Sequence, residues 1–165
     1  MKSTDYAPRS AAMDAHLRGQ DLRGIEVGCD VGAHAEALLR YCAVSHLVVV
    51  DLWEKDFYRG YCMGRLQSHG WKNRTEFLQM TSHSAVQHFG DDTFDFVYID
   101  ILHDYATVKE SLEDWWPKLK VGGVMGYRNY SPSNRELTRA VDEFIAQRQV
   151  EAKVESYHGE IVLFK

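Results

Sequence analysis

Residues 25–34 read I-E-V-G-C-D-V-G-A-H, an apolar run broken by Gly28 and Gly32. Glycines at that spacing let a backbone turn sharply, admit a ligand close to the main chain, and present the N-terminus of the helix that follows. A pyrophosphate-binding turn needs G-x-G-x-x-G, whose second glycine makes room for the phosphates. Here Asp30 holds that position, and its charge opposes a pyrophosphate, so the turn suits a ligand without phosphates. Glu26, just before it, could meet a cationic or hydroxylated group of that ligand. Alone, G-x-x-x-G is equally the pattern of a purely structural strand-to-helix turn, and both readings stand. Asp51 closes the run V-V-V-D-L-W, about twenty residues further on. An acid there can hold ribose hydroxyls through two charge-assisted hydrogen bonds, with Leu52 and Trp53 offering apolar surface to a purine. Its competing role is a helix N-cap; the wholly apolar strand before it favours the ligand.

The elements that must position these residues alternate. Residues 24–27, 46–50, 75–80, 94–99 and 123–127 read as strands, and 33–41, 57–67, 82–89, 105–116 and 135–147 as helices. The run at 46–50 has the β-branched character of a strand covered on both faces. Leu137, Ala140, Val141, Phe144 and Ile145 share one face of the last helix. Ahead of the first strand, 1–8 read as a frayed tail and 9–20 as a short helix ended by Gly19. Five strand–helix repeats imply a mostly parallel sheet with right-handed crossovers. The last two strands, 151–157 and 161–164, are too close for a crossover and must form an antiparallel hairpin. The expected fold is α/β: a doubly wound, mostly parallel seven-stranded sheet with an antiparallel C-terminal hairpin strand, in a single domain over 1–165, with 1–21 as tail and short helix. Ligands of such sheets bind beyond the carboxyl ends of the strands, where strand order reverses.

The glycine turn, the strand-end acid, F-D-F-V-Y-I-D-I-L-H-D-Y (94–105), W-W-P-K-L-K-V-G-G-V-M-G (115–126) and the closing hairpin together resemble class I S-adenosylmethionine-dependent methyltransferases, which are Rossmann-like. Within that class the chain is most similar to the small-molecule methyltransferase-24 family, related to catechol-type O-methyltransferases. The resemblance runs from about Leu22 to Lys165. It implies S-adenosylmethionine as cofactor, S-adenosylhomocysteine as product and a small-molecule acceptor. Glu26, Gly28 and Gly32 match the motif beside the methionine part of the cofactor. Asp51, with Leu52 next to it, matches the ribose-binding acid. Thr81 and Ser82 match positions that usually read Asp-Ser by the adenine, so Thr81 offers a hydroxyl without the charge. Asp100 matches the acid near the sulfonium, and His103 with Tyr105 matches the D-x-D-H-x-Y pattern.

Two departures bear on mechanism. Leu102 stands where a second Asp is frequent, and Arg128-Asn129 where an acidic pair is common. Magnesium and calcium sites want several hard oxygen ligands, usually with more than one carboxylate. The expectation is therefore no divalent metal and a metal-independent O-methylation. Methyl transfer from a sulfonium is an in-line displacement, which needs an aligned acceptor lone pair and, for a hydroxyl, removal of its proton. His103 is the candidate base, since imidazoles titrate near neutral pH, and Asp100 could hold the cofactor or orient His103. The competing reading has His103 capping the helix that begins near Asp104. Tyr105, Arg128, Asn129 and Tyr130 are candidate acceptor contacts, Arg128 and Tyr130 for an anionic or sugar-like group; as loop residues they could also be merely solvated.

Composition narrows the partners. A formal net charge of -5 gives no general basic face for phosphates, so a nucleic-acid substrate is not expected. Cys29, Cys42 and Cys62 form no C-x-x-C pair and read as small buried hydrophobes in a reducing compartment. The N-terminus carries no apolar signal core and no stretch reaches about 18 apolar residues, so a cytoplasmic protein with no membrane span is expected. His69, His83, His88 and His158 suggest no ligand set. Ile101 and Leu102 after Asp100 replace the Pro-Pro-aromatic loop of amino-methylating enzymes, and no Pro-Cys nucleophile is present. Two rivals stay open: a catalytically inactive S-adenosylmethionine/S-adenosylhomocysteine-binding module, and a nicotinamide-dependent oxidoreductase. A homodimer could shield a sheet edge.

Overall fold

The run before Asp51 is buried on both faces, as its composition requires: Leu47 and Val49 point into one apolar cluster, Val48 and Val50 into the other. The computed structural model describes residues 16–17, 19–155 and 159–165. The tail read over 1–8 lies outside them, as do His158 and most of the helix read over 9–20. In chain order the elements are β1 (Leu22–Val27), α1 (Ala33–Tyr41), β2 (Val44–Asp51), α2 (Asp56–Ser68), a 3-10 turn (Lys72–Arg74), β3 (Thr75–Gln79), α3 (Ser82–Val86), β4 (Phe94–Ile99), α4 (Tyr105–Trp115), β5 (Leu119–Tyr127), α5 (Arg135–Arg148), β6 (Glu151–Glu155) and β7 (Glu160–Phe164).

The strands form one sheet of order β3-β2-β1-β4-β5-β7-β6. The pairs among β1 to β5 are parallel. β7 enters between β5 and β6 and runs antiparallel to both. One face of the sheet is closed by α1 and α2 through Leu38, Leu39, Cys62 and Leu66. The other is closed by α3, α4 and α5 through Val86, Leu112, Trp115, Val141 and Phe144. The exposed β6 carries Glu151, Lys153 and Glu155, charges that discourage another strand from adding at that edge.

Differences from the expected boundaries are local. β5 begins at Leu119 rather than 123, because the chain makes an irregular step in its pairing with β4 between Phe94 and Phe96 and resumes at Val124. α3 stops at Val86 rather than 89: His88 and Phe89 donate to carbonyls three residues back, a tightened exit that redirects the chain toward β4. Strand order reverses between β1 and β4, so the crevice lies above Val27 and Ile99. Among the described residues no helix is long and apolar enough to cross a membrane.

Candidate active site

Gly28 leaves β1 at φ +89°, and a Cβ there would lie 2.0 Å from the Asp100 carbonyl oxygen. The ends of β1 and β4 thus approach more closely than any side chain allows. Gly32 starts α1 at φ +75°, where a Cβ would meet Cys62 Sγ at 2.8 Å. Between them the chain turns its amides onto Asp51. The N–H groups of Cys29 (2.9 Å) and Asp30 (2.8 Å) both donate to Oδ2, and that of Trp53 donates to Oδ1 at 2.8 Å. A carboxylate offers about four lone-pair sites, so one remains, on Oδ1. Asp51 caps no helix, since Lys55 is the N-cap of α2. It can take one further hydroxyl without releasing an amide, rather than the two expected. Trp53 is 2% exposed and donates its indole N–H to the Asp30 carbonyl; it props the turn from behind and offers no surface to a purine. Leu52 does line the crevice and is about half exposed.

The crevice is a cleft of about 380 Å³ whose walls include Gly28, Asp51, Leu52, Thr81, Ser82 and Asp100. That volume is within the roughly 300–1,000 Å³ of small-ligand sites. Thr81 is the N-cap of α3: its hydroxyl accepts the Ser84 N–H at 3.1 Å and donates to Ser84 Oγ at 2.9 Å. Its proton is spent, but a lone pair is left for a donor. Ser82 Oγ accepts the Trp115 indole N–H at 2.9 Å and keeps its own proton to give. Thr81→Ala should lower stability by about 1 kcal/mol, the usual worth of such a cap, read as a lower urea midpoint at unchanged slope; an unchanged midpoint would refute the cap.

Beneath the turn lies a buried polar chain. Glu26 Oε1 is 3.1 Å from His34 Nδ1, and the buried Oε2 has no hydrogen-bond partner among the described residues. Burial pushes the Glu26 carboxyl up, against the opposing pull of His34. The His34 ring packs on Tyr98, centroids 4.0 Å apart, and the Tyr98 hydroxyl donates to Glu160 at 2.7 Å. Glu26 and Tyr98 are register partners of β1 and β4. Sequence reading found Glu26 alone: His34 reaches it across the glycine turn, and only strand pairing brings Tyr98, and through it Glu160, into the chain.

At the far end of the crevice, Arg128 pairs through Nη1 with Asp100 Oδ2. His103 Nε2 lies 3.9 Å from Asp100 Oδ1 and 3.2 Å from Asn129 Nδ2. Asp104, not His103, caps α4: its carboxylate accepts the Thr107 N–H at 3.0 Å, which holds that acid below the usual carboxylate range. Tyr105 and Tyr130 turn away. The Tyr105 hydroxyl donates to Glu143, and the Tyr130 hydroxyl donates to Asp142 at 2.7 Å. Burial and Asp142 push the Tyr130 phenol up to about 12. Of the four candidate acceptor contacts, Arg128 and Asn129 therefore gather at Asp100, while the phenols are claimed by acids of α5.

His83, set aside in the sequence, lines the cleft together with Glu110. Its Nδ1 is 2.8 Å from Asp114 Oδ2 and 3.7 Å from Glu110 Oε1, and the two acids, Asp114 foremost, hold the imidazole above its ordinary value. The acids are i, i+4 on α4, but only the packing of α3 on α4 delivers the histidine.

Seven strands in this order, with β7 antiparallel between β5 and β6, are the architecture of class I S-adenosylmethionine-dependent methyltransferases, and the chain is an enzyme of that class. It belongs to the methyltransferase-24 family, described as a methyltransferase domain, whose family model matches residues 25–130. No curated protein matches the sequence. A protein of Corynebacterium glutamicum superposes with a TM-score of 0.80 at 15% identity, over 100% of this chain and 81% of that one. An O-methyltransferase of Bacillus cereus in complex with S-adenosylhomocysteine gives 0.74 at 16%, over 100% and 82%. Spermidine synthase of Thermotoga maritima gives 0.72 at 16%, over 96% and 58%. At such identities the likeness establishes the fold.

Proposed function

We propose that this chain methylates a hydroxyl oxygen of a small cytoplasmic molecule, with His103 as base and no divalent metal at the reacting centre. The observation that carries this reading is the convergence of Asp100, His103, Arg128 and Asn129 at the ends of β4 and β5, beside the cleft. The cleft suits the cofactor. It joins a turn whose Asp30 opposes phosphates by its charge, one open lone pair on Asp51, the hydroxyls of Thr81 and Ser82, and nearby the Oε2 of Glu26, which has no partner among the described residues. When bound, S-adenosylmethionine supplies an electrophilic methyl group on sulfur. Asn129 can turn its amide carbonyl toward Nε2–H of His103, since the two amide ends are interchangeable in such an assignment. Nδ1 then carries the lone pair that takes the acceptor's proton. Asp100 is placed to stabilise the resulting imidazolium. The donor set does not fit a divalent ion: Asp100 is the one carboxylate of the group, and the adjacent guanidinium already neutralises it while repelling a second cation.

The O-methyltransferase among the structural neighbours supports oxygen as the acceptor atom. The test follows S-adenosylhomocysteine formation across a panel of hydroxylated acceptors, with and without EDTA, in wild type and His103→Ala. Turnover indifferent to EDTA is expected, with kcat reduced about 10²–10⁴-fold in the variant and the rise of rate with pH flattened. Cofactor binding with no turnover on any acceptor would favour the inactive module, and an unchanged rate and profile would remove His103 as base.

A further inference from the structure

We infer that His83, Glu110 and Asp114 form a binding site for a divalent transition-metal ion at the rim of the cleft, apart from the reacting centre. The three ligand atoms lie within 4.8 Å of one another. Two donors bound at about 2.1 Å to one ion can be at most about 4.2 Å apart. The 2.8 Å and 3.7 Å separations from His83 Nδ1 already meet that limit. The remaining carboxylate pair closes by a small rotation of the exposed Glu110 side chain on α4.

Charge points the same way. His83 is the sole cationic side chain within ion-pair distance of either Glu110 or Asp114 among the described residues. Two carboxylates therefore converge with no lysine or arginine to balance them. One imidazole nitrogen with two carboxylate oxygens suits zinc, cobalt, nickel or manganese rather than magnesium, which keeps oxygen ligands. Three protein ligands leave a coordination position for water, as in open zinc sites. The bound ion ties α3, which begins at the cleft residues Thr81 and Ser82, to α4. This departs from the sequence expectation that His83 joins no ligand set, and it holds whether or not the O-methylation reading does.

Metal-stripped protein without cofactor is titrated with Zn²⁺ by calorimetry and with Co²⁺ by visible absorption. Saturable one-to-one binding is expected, with ligand-field bands and no thiolate-to-cobalt charge transfer. That absence separates this site from Cys29 and Cys62, whose sulfurs lie 3.4 Å apart. His83→Ala and Asp114→Asn should each weaken binding by at least about 10–100-fold, the loss that even an outer-shell partner causes. Zn²⁺ should raise the melting temperature of wild type and not of the variants. All three side chains are solvent-accessible, so both variants should fold, checked by circular dichroism. Absence of saturable binding, a sulfur signature, or equal binding by both variants would overturn the assignment.

Discussion

Asp51→Ala is expected to weaken S-adenosylhomocysteine binding by about 100-fold or more in calorimetry, and to lower the melting temperature as well. Two losses combine. Three backbone amides, those of Cys29, Asp30 and Trp53, lose the carboxylate that gathers them, so the glycine turn is no longer held in shape before the cofactor arrives. The remaining lone pair on Oδ1 disappears with it. Hydrogen bonds to a charged group contribute about 1.5–3 kcal/mol each, and every 1.4 kcal/mol is tenfold in affinity. Asp51→Asn separates the losses. Its carbonyl oxygen can keep the Cys29 and Asp30 amides, while its NH₂ opposes the Trp53 N–H and cannot accept a hydroxyl. The Asn variant should therefore melt closer to wild type than Asp51→Ala, yet still bind poorly. Wild-type affinity in Asp51→Ala would dismantle the role given to this carboxylate.

Gly28→Ala should be at least as damaging, through the backbone rather than through charge. A methyl group at φ +89°, 2.0 Å from the main-chain oxygen of Asp100 just past β4, has no flexible neighbour to displace. Left-handed backbone at a non-glycine residue costs about 1–3 kcal/mol, and forcing atoms into filled space a further 1–3 kcal/mol. A loss near 3 kcal/mol corresponds to a melting temperature lower by roughly 6–12 °C at this chain length. Because the strain falls between β1 and β4, cofactor binding should be lost before the fold is. Gly32→Ala provides the contrast: its methyl meets a side-chain sulfur at 2.8 Å rather than a main-chain oxygen at 2.0 Å, so the same assays should show a smaller effect. Equal behaviour of wild type and Gly28→Ala in both assays would contradict the close approach.

Much of this is legible in the sequence. The run around Leu47 to Val50 announces a strand buried on both faces, and the short gap before Glu160 forces β6 and β7 into antiparallel pairing. Both are local consequences of composition and chain length. Boundaries were legible only where a sharp signal marks them, such as Pro117 after α4. The start of β5 at Leu119 was not, because Gly122 reads as loop, and the stretch before Gly123 is carried by a step in the pairing with β4 and by backbone hydrogen bonds of Gly122 and Gly123 with Lys165.

The amino-acid order by itself determined which elements form, in what succession, and which residues stand at strand ends: Gly28, Asp51, Thr81, Asp100 and Arg128 are all placed by periodicity and turn chemistry alone. Only the tertiary structure decided how those residues spend their hydrogen bonds. It gave three of the Asp51 lone pairs to backbone amides, turned Tyr105 and Tyr130 toward α5, and buried Trp53 behind the turn. It also joined His34 to Glu26 and His83 to Asp114. The physical reason is range: periodicity is set by neighbours along the chain, whereas most of these partnerships join strands or helices that meet only once the sheet has closed.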